Sequence, residues 1–188
     1  MISSVYDSCV LYSASLRDLV MNIAVARLVR AHWSNEIHED WIRSLLRNQP
    51  TLQRERLERT RRNMDRAVVE GGLVSGYEER VSTLRLPDPN DRHVLALAIH
   101  VKASWIVTFN LSDFPVSELA PHEIEAVSPD EFVLRLAKSD EEGLLEAIRV
   151  HRTHLYNPPK SVGEYLATLQ QQRLHKTVAF LQKHRDEI

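Results

Sequence analysis

The stretch Leu86–Pro115, LPDPNDRHVLALAIHVKASWIVTFNLSDFP, decides the fold. Pro87 to Asn90 reads as a turn, because proline and Asp/Asn pre-set turn backbone and bond it locally. Asp91 then opens a helical segment that runs to Lys102. Its Leu95, Ala98 and Ile99 recur at helical spacing and mark the inward face. Trp105–Phe109 is a short β-branched and aromatic run, suited to a central strand. Asn110 and Asp113 lie just beyond its end. The stretch therefore sets one acid at a helix start and another past a strand end.

Working outward, Met1–Tyr6 predicts a buried strand that ends at a further acid, Asp7. Leu16, Leu19, Val20, Ile23 and Ala24 predict a helix over Ser15–Val29. Ser34 is the expected N-cap of the next helix, whose Ile37, Trp41 and Leu45 fall at i, i+4 and i+8 before Pro50 ends it. Glu36 then lies in its first turn. Leu57, Arg61, Met64 and Val68 share one face of a basic helix stopped by Gly71-Gly72. Val81–Leu86 alternates and predicts a second strand; Ile124–Val127 predicts a last one. Strand and helix alternate, so an α/β fold with a parallel sheet covered by helices is expected over residues 1–127.

The pattern changes at residue 128. Ser128-Pro129-Asp130-Glu131 is a capping box with proline at the first helical position. Ser161–Glu164 is a second box, and Asn157-Pro158-Pro159-Lys160 separates two helices. Residues 128–188 are expected to form an all-helical extension of three short helices.

At 188 residues the chain can bury one good core, or one domain with an appendage. It carries 24 basic and 26 acidic residues, so overall charge does not announce a nucleic-acid partner, and any basic surface is local. One cysteine excludes an internal disulfide and a four-cysteine zinc site. That usage fits a cytoplasmic location. No apolar run approaches the roughly 20 residues of a membrane helix, and no signal peptide is expected.

Asp7, Glu36, Asp91 and Asp113 stand where such a sheet would gather them, beyond strand ends and at helix starts. Magnesium takes oxygen ligands and keeps several waters. Crowded carboxylates resist joint ionisation, and a divalent cation relieves that repulsion. An ion there would activate water against a phosphodiester. Spacing alone leaves a second reading open: each acid also suits ordinary cap and turn chemistry.

Four stretches carry a resemblance. VYDSCVLYSA puts Asp7 in a first-acid position, HWSNEIHEDW puts Glu36 in a second, and DRHVLALAIHVKA puts Asp91 in a third. WIVTFNLSDFP supplies Thr108, Asn110 and Asp113. Over residues 1–127 the chain resembles PIN-domain ribonucleases of the VapC type, the toxins of toxin–antitoxin pairs, in a longer form with a helical C-terminal extension. The resemblance implies a PIN-like, Rossmann-like sheet and an endoribonuclease dependent on Mg²⁺ or Mn²⁺. It also implies a homodimer, an RNA substrate and a cognate antitoxin laid over the active site. Asp7, Asp91 and Asp113 are the expected metal ligands, with Glu36 binding a second ion or acting as general base. Thr108 and Asn110 would hydrogen-bond a carboxylate or a water. Asn110 departs from the further acid found in many relatives. The alternative is a PIN fold kept as a binding or regulatory module.

Arg54, Arg56, Arg59, Arg61, Arg62 and Arg66 crowd one predicted helix. Arg61 and Arg62 are the candidates for RNA contact; the competing reading is a solvated helix laced with Glu55, Glu58 and Asp65. Trp33 and Trp41 could stack on bases, although Trp41 lies in the apolar stripe. His32, His38, His151 and His154 lack a metal-site pattern and are expected at the surface. Cys9, with no identifiable base, is expected to act as a small buried hydrophobe. Asp88 is expected to be a turn residue. A haloacid-dehalogenase-type phosphatase needs a second Asp where Cys9 stands, a receiver domain needs paired acids near its start, and a P-loop is excluded by the lack of a glycine-rich GK[ST] stretch.

Overall fold

A computed structural model describes residues 1–155 and 158–188. Its strands are β1 (Ser3–Tyr6), β2 (Arg30–Trp33), β3 (Gly72–Leu73), β4 (Trp105–Val107) and β5 (Glu125–Val127). All pairings are parallel, in the order β3-β2-β1-β4-β5. Val5 lies opposite His32 on one side and Ile106 on the other. The chain builds outward from β1 in one direction, then crosses to build β4 and β5 in the other. The strand order thus reverses between β1 and β4, and a crevice opens past their carboxyl ends.

Helices cover both faces: α1 (Ser8–Tyr12), α2 (Ala14–Val25), α3 (Asn35–Asn48), α4 (Arg54–Ala67), α5 (Glu78–Val81), α6 (Arg92–His100) and α7 (Val116–Leu119). α3 starts where expected, because the Ser34 hydroxyl accepts the Ile37 N–H at 3.2 Å. Its Ile37, Trp41 and Leu45 are buried. Tyr6 anchors the core. Its ring lies 6.5 Å from Trp33, and its hydroxyl donates to the Val20 carbonyl at 3.2 Å.

Several sequence expectations fail here for local reasons. The helix predicted over Ser15–Val29 spans Ala14–Val25, and Arg27 turns the chain at φ 60° into the unforeseen β2. β2 is four residues long and contains a histidine, so neither its length nor its composition marked it as a strand. Val81–Leu86 is not a strand; α5 ends at Val81 and the chain then turns. The sheet edge beside β2 is taken by Gly72–Leu73 instead. Glycine is required just before it: Gly71 has φ 100°, and a Cβ would stand 2.4 Å from the Ala31 carbonyl oxygen.

The surface placement of three histidines is also overturned. His32, His38 and His151 are buried, while His154 is exposed. His151 bonds the Tyr165 hydroxyl at 2.9 Å, and burial depresses its pKa to about 4. His38 accepts the Trp41 indole N–H through Nδ1 at 3.0 Å. Its proton is therefore on Nε2, which donates to Asp65 at 3.0 Å. Trp33 donates its own indole N–H to the same Asp65 oxygen at 2.8 Å. Both indoles are fully buried, so base stacking by Trp33 or Trp41 is excluded.

Among its described residues the extension holds four α-helices rather than three: α8 (Pro129–Ser139), α9 (Glu141–His154), α10 (Val162–Gln171) and α11 (His175–Leu181). The extra break is at Asp140, whose carboxylate accepts the Gly143 N–H at 2.9 Å and caps a new helix. Ser161 and Glu164 cap reciprocally as expected, but the Ser128 box is only half formed: Ser128 accepts the Glu131 N–H, while the Glu131 carboxylate accepts from Arg135. Of the turn at Asn157–Lys160, Asn157 lies outside the described residues. Phe132 of α8 packs edge-on against Tyr6 at 5.8 Å and Trp105 at 6.0 Å, so the extension shares the core of the sheet. Full burial of one such ring contributes about 2 kcal/mol. The Asp130 carboxylate accepts the N–H groups of Lys176 and Thr177 at 2.9 and 2.8 Å, locking α11 onto α8. No helix among the described residues is long and apolar enough to cross a membrane.

Candidate active site

Asp7 directly follows β1 and is 3% exposed. Its backbone N–H still pairs with the Val107 carbonyl of β4 at 3.1 Å, which sets its side chain at the switch point of the sheet. Oδ2 accepts two hydrogen bonds, from the Thr108 hydroxyl at 2.7 Å and from the Cys9 thiol at 3.1 Å. Thr108 is itself buried just past β4, and its oxygen accepts the Asn110 N–H at 3.0 Å. The Phe109 N–H donates to Cys9 Sγ at 3.3 Å. One face of the Asp7 carboxylate is thereby fixed by two donors, and Oδ1 is left for another partner.

Cys9 is more than the small hydrophobe expected from its sequence context. It is half-buried and positions Asp7. Burial first, then the Asp7 charge, pushes its pKa up to about 12, so it stays a thiol and serves as a donor rather than a nucleophile.

Asp91 stands at the start of α6, half-buried. Its pKa is raised from 3.8 to about 7, by burial first and then by the charges of Asp7, Asp88 and Asp113; His93 opposes them. These four carboxyl groups, drawn from three separate segments of the chain, therefore share one electrostatic environment. Among the described residues, no three acidic, histidine or cysteine side chains already converge at metal-binding distance. Magnesium takes one or two carboxylates directly and reaches others through its waters, so it does not need three side chains already in contact. The donor set, all carboxylate oxygen with no lysine or arginine among the groups that shift Asp91, fits a hard divalent cation.

Asp113 lies in a short 3₁₀ turn (Leu111–Asp113) past β4, half-buried, while Asn110 is exposed at the start of that turn. Glu36 sits in the first turn of α3 and accepts a hydrogen bond from the Tyr77 hydroxyl. It is not among the groups that shift Asp91, so it is the outlying member of the set. One turn on, Asp40 Oδ2 lies 3.2 Å from His93 Nε2, which joins α3 to the start of α6. Tyr77 and His93 had no sequence signal, because each acts through a partner remote in the chain. Asp88 is the expected turn residue, its Oδ1 accepting the Asn90 N–H at 2.8 Å, yet it also loads charge onto Asp91.

On α4, Arg54 and Arg61 are committed to acids. Arg54 meets Glu39 at 2.6 Å and Glu58 at 3.2 Å. Arg61 meets Glu39 and Glu58 at 3.6 Å each and donates to Asn35 at 2.7 Å. Asn35 is the residue before Glu36, so Arg61 is held near the rim of the acidic site. Arg62 is exposed. Asp65 does not lace the helix to its own arginines; it faces inward to His38 and Trp33.

Residues 3–112 match the PIN domain family, and residues 129–183 match the VapC50 C-terminal domain family. The protein named "Putative ribonuclease VapC50" from Mycobacterium tuberculosis (strain ATCC 25618 / H37Rv) is 42% identical over 59 residues. That match spans 31% of this chain and about a third (34%) of the relative's length. No solved structure is significantly similar. The PIN match covers more than half of the chain and includes β1 to β4, on both sides of the reversal in strand order; the chain belongs to the PIN domain family.

Proposed function

We propose that this protein is a Mg²⁺-dependent endoribonuclease, Mn²⁺ serving in its place, and the toxin of a toxin–antitoxin pair. The observation that supports this reading most strongly is the electrostatic coupling of Asp91 to Asp7 and Asp113 at the switch point of the sheet. The named relative, a VapC50 ribonuclease by its name, points the same way. On this reading residues 1–127 are the nuclease unit and residues 128–188 a helical extension. The working protein is a cytoplasmic homodimer restrained by an antitoxin.

Asp7 and Asp91 would hold the ion, with Asp113 bound directly or through water. A divalent ion bound there supplies an activated water and offsets charge on the phosphate. Thr108 and Cys9 keep the Asp7 carboxylate turned to one side, so that its free oxygen need not reorganise. Asn110, exposed at the rim, is available to orient a water or a phosphate oxygen. Glu36, steadied by Tyr77, would accept a proton from the attacking water. Arg61, bonded to Asn35, and Arg62, exposed and the freer of the two, would contact the RNA backbone.

The test is cleavage of single-stranded RNA by purified protein with Mg²⁺, with EDTA, and by the Asp7→Asn variant. Cleavage should need both the ion and the carboxylate. Equal cleavage by the variant would remove Asp7 from the chemistry and the nuclease reading with it.

A further inference from the structure

The turn after α10 carries an exposed cation that reaches across to the sheet. Arg173 follows the helix in a left-handed conformation, φ 65°. Glycine is preferred at that place, because any Cβ crowds the neighbouring carbonyl there. The arginine is exposed, and its guanidinium carbon stands 4.9 Å from the centre of the Phe109 ring. The preceding residue, Gln172, accepts a hydrogen bond from the Ser13 hydroxyl, so the turn is tied down at the junction of α1 and α2. Phe109 in turn sits between Thr108, which supports Asp7, and Asn110, and its own N–H bonds Cys9. A cation from the extension is therefore held one residue from the Asp7 support. Among the described residues it pairs with no carboxylate. A polyanion entering a cluster of carboxylates meets repulsion, and a cation at the rim offsets it.

We propose that Arg173, delivered by the C-terminal extension, binds a phosphate of single-stranded RNA adjacent to the bond that is cut. The Phe109 ring carries the guanidinium on its face, which fixes the direction of that fork. The left-handed backbone simply closes α10, the Leu174 N–H donating to the Leu169 carbonyl at 3.2 Å, and Arg27, Lys102 and Glu123 adopt it too; the Phe109 contact is what sets where this side chain lies. This inference rests on the nuclease reading for its substrate, but not for its binding test.

Binding of a fluorescent, unstructured oligoribonucleotide is measured against salt in Asp7→Asn protein, which does not cut, with and without Arg173→Gly. The glycine should weaken binding about tenfold at low salt and lower the slope of log K against log salt by about 0.7, the loss of one phosphate contact. Arg173→Lys should keep the slope, and Lys138→Ala, elsewhere on the extension, should leave it unchanged. In protein with Asp7 intact, Arg173→Gly should raise KM with kcat nearly unchanged, and its melting temperature should not fall, since glycine suits the left-handed turn. An unchanged slope and KM would overturn the proposal and leave the guanidinium to a protein carboxylate. A lowered melting temperature would make Arg173 structural and overturn it equally. A slope that falls in a protein that never cleaves RNA would keep this contact and discard the nuclease reading.

Discussion

Neutralising Asp91 should stabilise the metal-free protein at neutral and alkaline pH. The carboxyl group is raised from 3.8 to about 7 by burial and by Asp7, Asp88 and Asp113. An acid whose pKa is higher folded than unfolded contributes stability that is complete below pH 4. That contribution drains away as pH rises through 7, because the folded state holds a proton that the unfolded chain has released. At 1.36 kcal/mol per pH unit the displacement corresponds to about 4 kcal/mol. Asp91 is only half-buried, and screening by water reduces this to about 2 kcal/mol. Asp91→Asn keeps the shape and removes the charge. In EDTA the variant and the parent should melt together at pH 4 and diverge steadily to pH 8. There the variant should melt about 4–8 °C higher, given about 2–4 °C per kcal/mol for a chain of this size. Added Mg²⁺ should reverse the order, raising the parent and leaving the variant in place. Melting curves that stay parallel across pH would show that the acids do not feel one another, and the electrostatic basis of the site would go.

Two further substitutions test the supports. Thr108→Val removes the hydroxyl that donates to Asp7 and leaves the Asn110 N–H without its acceptor; Mn²⁺ affinity measured by calorimetry should fall about tenfold or more, and unchanged affinity would deny the hydroxyl a role. Asp65→Ala strands the buried indole N–H of Trp33 and the N–H of His38, so urea unfolding should show a loss of about 2–4 kcal/mol. A loss under 1 kcal/mol would mean that water replaces the carboxylate there.

The positions of the candidate acids in the fold were legible because each stands at a boundary that local chemistry marks: Asp7 after an apolar run, Asp91 after a proline turn, Asp113 after a β-branched run. β1, β4 and β5 were legible for the same reason. What escaped was set by contacts between distant segments. β2 exists because β1 and β3 pair with it, and nothing in Arg-Ala-His-Trp announces a strand. His38 and His151 look like surface residues until Asp65 and Tyr165, 27 and 14 positions away, supply their partners. Cys9 looks inert until Asp7 and Thr108, the latter 99 residues on, enclose it. The approach of Arg173 to Phe109 depends on how the extension docks, and no local pattern in either segment encodes that.

On the proposed function, Asp7, Asp91 and Asp113 close on one divalent ion. Crystals soaked in Mn²⁺ test it directly by anomalous scattering. A peak is expected about 2.1–2.3 Å from oxygens of Asp7 and Asp91, with Asp113 bound directly or through one water. A saturating soak that leaves this crevice without a peak, or that places the ion on other residues, would contradict it.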